Sequence, residues 1–108
     1  MTGGGPQRKR PAKHKNPLDK AQKCLNSGRF HDTRHAVDQK TARIITLPEV
    51  RMIIENGYWE KRKDEYKPEY EAWNYSIRGR TVDGRDLRII ISFENQRLLF
   101  ITAIDRDN

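Results

Sequence analysis

The sequence predicts an α+β fold: two or three N-terminal helices packed on one face of a small antiparallel sheet, which closes with a C-terminal three-stranded meander. Three observations predict it. Period-two alternation of apolar and polar residues runs from Ala72 to Asp105, turn signals at Asp83-Gly84 and Glu94-Asn95-Gln96 divide that stretch, and Thr46 with Glu49 three residues later opens a helix as a capping box does.

Taken in order, residues 1–20 read as a basic tail and residues 21–108 as one α+β domain. The tail holds Arg8, Lys9, Arg10, Lys13, Lys15 and Lys20 against Asp19 alone, so it carries +5 of the chain's +7. Glycines and prolines leave it too little apolar surface to order itself, and it reads either as a salt-sensitive arm for a polyanion or as a solubilising segment. At its end, Asn16 and Pro17 open a short helix to Asn26 that closes near Gly28. Weak helical character runs from Thr33 to Ala42. The Thr46 helix is firmer, with Val50, Ile53 and Ile54 on one side and Asn56-Gly57 as its stop.

A charged connector follows, from Tyr58 to Tyr70, in which Pro68 excludes a central strand. Six of the nine aromatic residues, Tyr58, Trp59, Tyr66, Tyr70, Trp73 and Tyr75, lie in or just after it. Interleaved with bases, such rings can stack unpaired nucleobases, although Trp73 and Tyr75 read more simply as core.

Turn length sets the register of the meander. A two-residue loop at Asp83-Gly84 would lay polar rows on apolar ones. A three-residue loop, Val82 to Gly84 with Gly84 left-handed, pairs Ile77 with Ile89, Tyr75 with Ile91 and Trp73 with Phe93. At the second turn a two-residue Asn95-Gln96 loop sets Phe93 opposite Leu98 and Ile91 opposite Phe100, so Thr102 and Ile104 continue the apolar face. On the reverse face Arg78 then stands opposite Arg88, with Arg80, Ser76 and Asn74 beside them. Facing guanidinia repel by a few tenths to about 1 kcal/mol unless an anion lies between them, or unless they splay into water or pair with Asp86, Glu71 or a C-terminal acid.

The chain of 108 residues has room for one small core. Cys24 is its single cysteine, which excludes a disulfide-stapled scaffold and makes a reducing cytoplasm the expected compartment. No apolar run reaches membrane-spanning length, so no membrane association is expected. His31-Asp32-Thr33-Arg34-His35 has the outline of a helical two-histidine zinc motif but lacks its glutamate and a third ligand; no metal and no cofactor are expected. What remains is His31 or His35 as a proton carrier, with Arg43, Arg78, Arg80 and Arg88 as phosphate clamps and Ser76 alongside. A ribonuclease needs little more, because RNA supplies its own 2′-hydroxyl nucleophile. His35 reads more simply as a partly buried helix histidine bonded to a sheet hydroxyl such as Thr102.

The order His35-Ala36, Arg43, Thr46, Asn56-Gly57, Ile77-Arg78-Gly79-Arg80, Asp83-Gly84-Arg85 and Ile101-Thr102-Ala103 resembles a bacterial family of small domains, the domain-of-unknown-function 4258 family. That family is similar in topology to RelE, BrnT and barnase-type ribonuclease toxins. The resemblance covers about residues 28 to 105 and matches the family's polar positions at His35, Arg43, Arg78, Arg80 and Thr102. It implies helices first and an antiparallel sheet after, and RNA cleavage or a degenerate relative of it. Two functions are therefore expected. One is a toxin-like, metal-independent endoribonuclease acting through His35, Arg43 and Arg78. The other is a non-catalytic module that binds RNA or a small acidic, antitoxin-like protein; the exposed Ile90, Leu99 and Ile101 would also suit a partner chain.

Overall fold

A computed structural model describes residues 10–33 and 45–107. His35, Arg43 and nearly all of the helix expected over Thr33 to Ala42 lie outside the described residues. The elements run α1 (Pro17–Asn26), β1 (Phe30–Asp32), α2 (Leu47–Asn56), β2 (Tyr58–Trp59), a 3-10 turn (Lys61–Lys63), β3 (Glu65–Lys67), β4 (Ala72–Arg80), β5 (Asp86–Glu94) and β6 (Arg97–Asp105). The fold is α+β, with two helices among the described residues.

Its sheet is larger than the meander alone. Strand order is β1-β6-β5-β4-β2, and β3 also pairs with β4. The expectation of a purely antiparallel sheet is corrected at one edge, where β1 runs parallel to β6. Such short strands leave no alternation to read, so β1, β2 and β3 are invisible to periodicity.

Both helices start as their sequences dictate. The Asn16 side chain accepts a hydrogen bond from the Asp19 backbone N–H at 3.0 Å, and Gly28 follows the helix end with a φ of +74°. In α2, Thr46 Oγ1 accepts from the Glu49 N–H at 3.3 Å and Glu49 Oε1 accepts from the Thr46 N–H at 2.9 Å, closing the capping box. Ala21, Cys24 and Leu25 of α1 and Val50, Ile53 and Ile54 of α2 are buried on the sheet face that carries Tyr75, Ile77, Ile89, Ile91, Leu98 and Phe100. Each of the larger aliphatic side chains and Phe100 among them stabilises the fold by about 1.5–3 kcal/mol, which makes this layer the dominant favourable contribution.

Backbone approach at one point allows α2 to sit so close. A Cβ on Gly57 would lie 2.5 Å from the carbonyl oxygens of both Arg78 and Ile53, and one on Gly79 would lie 3.1 Å from the Gly57 Cα.

Both meander turns have the expected lengths. Gly84 has a φ of +88°, and the Thr81 N–H donates to the Arg85 carbonyl at 2.9 Å across a three-residue loop. Tyr75 faces Ile91, Ile77 faces Ile89 and Arg78 faces Arg88. The paired ladder ends at Tyr75, so the expected pairing of Trp73 with Phe93 lies beyond it; there Ser92 Oγ donates to the Trp73 carbonyl at 2.8 Å instead. At the second turn Asn95 and Gln96 have φ of +53° and +63°, and Glu94 faces Arg97.

One expectation fails along β6. Ile91 faces Phe100 but Ile90 faces Thr102, so Ile101 is an extra residue in a bulge. Parity reverses beyond it. Thr102 and Ile104, expected on the core face, turn to the reverse face, and Ala103 and Asp105 take the inner positions. Asp105 there accepts from Arg85 Nη2 at 3.0 Å, while Arg85 Nη1 donates to Glu49 Oε2 at 2.8 Å.

Within the segment assigned to a basic tail, residues 10–16 lie along the aromatic end of the sheet. Trp73 Nε1 donates to the Pro11 carbonyl at 2.8 Å, the His14 N–H donates to the Tyr75 hydroxyl at 2.9 Å, and the His14 ring meets Phe93 edge-on at 4.9 Å.

Candidate functional site

Alternation places Ser76 and Arg78 of β4, Arg88 and Ile90 of β5, and Leu99 and Thr102 of β6 on the sheet face opposite the two helices. Tyr58 of β2 pairs with Arg78 and is 56% exposed. This face has a charged end and an apolar end.

At the charged end, the anion called for by the facing arginines is supplied from within the chain. Arg88 Nε donates to Glu60 Oε1 at 2.6 Å and Arg88 Nη2 to Glu60 Oε2 at 3.0 Å. Arg78 Nη1 lies 3.5 Å from the same carboxylate, while its Nε and Nη2 donate to Asp86 at 3.0 and 2.7 Å. Charge-assisted bonds of this kind contribute about 1.5–3 kcal/mol each, more than the cross-strand repulsion they offset.

The titration behaviour follows the geometry. Hydrogen bonds from Arg88, with those from Ser76 and the charge of Arg78, outweigh burial and hold Glu60 down to about 2. Arg78 lowers Asp86 in the same way, and Glu60 raises Arg88. The Ser76 hydroxyl donates to Glu60 Oε1 at 2.7 Å from a fully buried position, so it supports the clasp rather than facing a ligand. Arg80 sits at the exposed end of β4 and donates to the Gly84 carbonyl at 3.0 Å.

Glu60 is the residue that sequence reasoning missed. It stands in a run of charges, and nothing local distinguishes it from Glu65 or Asp64. β2 and the 3-10 turn place it: its backbone N–H donates to the Ser76 carbonyl at 2.8 Å, which brings the side chain over β4.

The apolar end forms a groove of about 600 Å³. Leu99, Ile101 and Thr102 of β6, Ser92 of β5 and Asn74 of β4 line it, with Lys67 at the end of β3, Glu69 and Tyr70 of the β3–β4 turn, and Glu94. That turn folds back through the Tyr70 and Glu71 N–H groups, which donate to the carbonyls of Lys67 and Pro68 at 3.1 and 3.2 Å. Glu71 takes a φ of +50°, and Tyr70 is left 76% exposed. A non-glycine residue in that conformation is strained by about 1 kcal/mol or more, so the turn holds its shape against a local preference.

Arg78, Arg80, Arg88 and Ser76 therefore share the charged end, and Thr102 lines the groove because of the bulge. His31 is not brought to them. It sits exposed on β1, opposite Leu99, with β6 and β5 between it and β4, a separation of about 14 Å at the usual strand spacing. As a strand residue it also cannot belong to a helical two-histidine motif. Among the described residues no helix is long and apolar enough to cross a membrane.

A family model described as "Domain of unknown function (DUF4258)" matches residues 33–105. No curated protein and no solved structure matches the chain.

Proposed function

This chain belongs to the DUF4258 family, and we propose that the reverse face of its sheet is a binding surface for single-stranded RNA. The observation that carries the reading is the groove beside Tyr70, on a face that neither described helix covers. A flat exposed ring beside an apolar floor can stack an unpaired base; the lining sets Lys67 against Glu69 and Glu94, so the attraction for the phosphate backbone comes from the basic tail, which carries +5 of the chain's +7. Tyr58 offers a second exposed ring toward the charged end.

Binding without turnover is favoured over cleavage because Arg78 and Arg88 are already engaged by Glu60 and Asp86. A scissile phosphate would have to draw both guanidinia away from these carboxylates. Cleavage, with His35 moving the proton, Arg43 and Arg78 assisting and no metal, is the finer form of the proposal. Likeness to RelE, BrnT and barnase-type toxins, a cytoplasmic location and an acidic antitoxin-like competitor for the face belong to that form too.

Fluorescence anisotropy with a labelled single-stranded RNA, repeated at rising salt, tests the reading. Saturable binding that weakens with salt and leaves the RNA intact is the expected result. RNA cut to cyclic-phosphate ends would replace the binding module with the enzyme. No binding at low salt would end both versions.

A further inference from the structure

Away from the reverse face, Lys13 is seated as a ligand is seated. Its Nζ lies 2.7 Å from Asp64 Oδ2, 4.9 Å from the centre of the Trp73 ring system and 5.6 Å from that of Trp59. We propose that Trp59, Trp73 and Asp64 form an alkylammonium-binding site, filled in cis by Lys13 and open to a lysine side chain of another protein when the N-terminal arm lifts.

Asp64 and Trp59 are fixed by the sheet side of the site, while Trp73 also holds the arm itself through its hydrogen bond to the Pro11 carbonyl at 2.8 Å. Both carboxylate oxygens of Asp64 accept from Trp59 Nε1 at 3.0 Å, and Oδ1 also accepts from the Ser76 backbone N–H at 3.2 Å. With Lys13 in place the carboxylate is 1% exposed. The rings are braced by others, Trp59 edge-on against Tyr75 at 6.3 Å and Trp73 against Tyr66 at 5.4 Å. A cation between ring faces and a desolvated carboxylate is held by both the ring quadrupoles and a charged hydrogen bond. Without a cation, the buried carboxylate would stand uncompensated, so the site favours occupancy by some ammonium at all times.

The chemistry also selects the ligand. A primary ammonium on an alkyl stem offers N–H groups to Asp64 and methylenes to the rings, as Lys13 does. The neighbouring guanidinium of Arg10 lies over Tyr66 and Trp73, at 5.1 and 5.8 Å from their centres, while Asp64 pairs with the Lys13 ammonium. Lys61 Nζ also lies 5.5 Å from the centre of the Trp59 ring, a second cation there whose charge opposes the first, so Asp64 and Trp73 set the preference of the site. The Lys13 side chain keeps 27% of its surface exposed, so the occupant can be exchanged from solvent.

Full-length Lys13→Ala, titrated with n-butylammonium chloride against sodium chloride at equal ionic strength, is the test. The indole N–H resonances of Trp59 and Trp73 are expected to shift saturably in the variant. In the wild type the same shift should need roughly tenfold more ligand, because the tethered ammonium competes at millimolar effective concentration. A folded variant with no saturable shift, or equal titrations of variant and wild type, would overturn the proposal. Acetylation of the wild-type chain by a soluble active ester gives a readout that does not depend on folding of the variant. Lys13 should react more slowly than the exposed Lys15, and equal rates would count against a seated ammonium.

Discussion

Arg78 and Arg88 face each other across the β4–β5 ladder, and one carboxylate, that of Glu60, lies against both. The like-charge pair is thus a clasp that ties the connector after β2 to the sheet. Its acid sensitivity can be measured. Glu60 titrates near 2 in the folded chain against an ordinary 4.5, so its stabilisation is complete above about pH 4.5 and is lost as pH falls toward 2. Partial solvent contact reduces the contribution to about 2 kcal/mol. Urea unfolding across that range should show Glu60→Gln less stable by about that amount at neutral pH, with a flatter acid limb.

Gly57 has no room for a methyl group, because the carbonyl oxygens of Arg78 and Ile53 stand where its Cβ would be. Gly57→Ala should destabilise the domain by at least about 2 kcal/mol, since backbone on both sides must move. Gly79→Ala, whose nearest contacts are 3.1 and 3.3 Å, should cost less. Thermal unfolding of the two variants gives the ranking.

At the second turn the expected change is a gain. Gln96 holds a φ of +63° after Asn95 at +53°, a conformation that favours glycine at the second position. Gln96→Gly should stabilise the chain by about 0.5–1 kcal/mol in urea unfolding, since the bond lost, Lys20 Nζ to Gln96 Oε1 at 3.3 Å, is exposed.

For RNA binding, Tyr70→Ala should weaken affinity roughly fivefold to a hundredfold, the range for one stacked base, with no change in melting temperature because the ring is exposed. Tyr58→Ala should act in the same direction. Affinity unchanged in both variants would move the binding surface elsewhere.

The meander is legible in the sequence because alternation and turn chemistry agree. Asp83-Gly84 admits two loop lengths, and only one keeps Ile77 on Ile89. The capping box at Thr46 was equally local. Glu60 was not legible, since its partners lie 16 and 28 residues away and its neighbours are also charged. The bulge was hidden for another reason. Leu99, Phe100 and Ile101 are apolar on both faces, so the strand offers no contrast by which a change of parity could be noticed. The packing of residues 10–16 was masked by a composition that resembles a solvated tail.

The extra residue at Ile101 leaves β6 with a competing alignment. Zipped from the Asn95-Gln96 turn without a bulge, the strand would bring Ile104 beside Leu87, a greasier match than the native one. Asp105 would then face away from Arg85. Only the bulged alignment lets that buried guanidinium meet Asp105, and the same alignment brings the Arg106 N–H to the Asp86 carbonyl at 2.8 Å, so Arg85 is one of the contacts that select it. Arg85→Gln should therefore loosen the far end of β6 first, seen as faster amide exchange from Thr102 onward while Leu98 and Phe100 stay protected. A strand end whose register leans on a buried guanidinium is a place where a single substitution can change which side chains reach the reverse face.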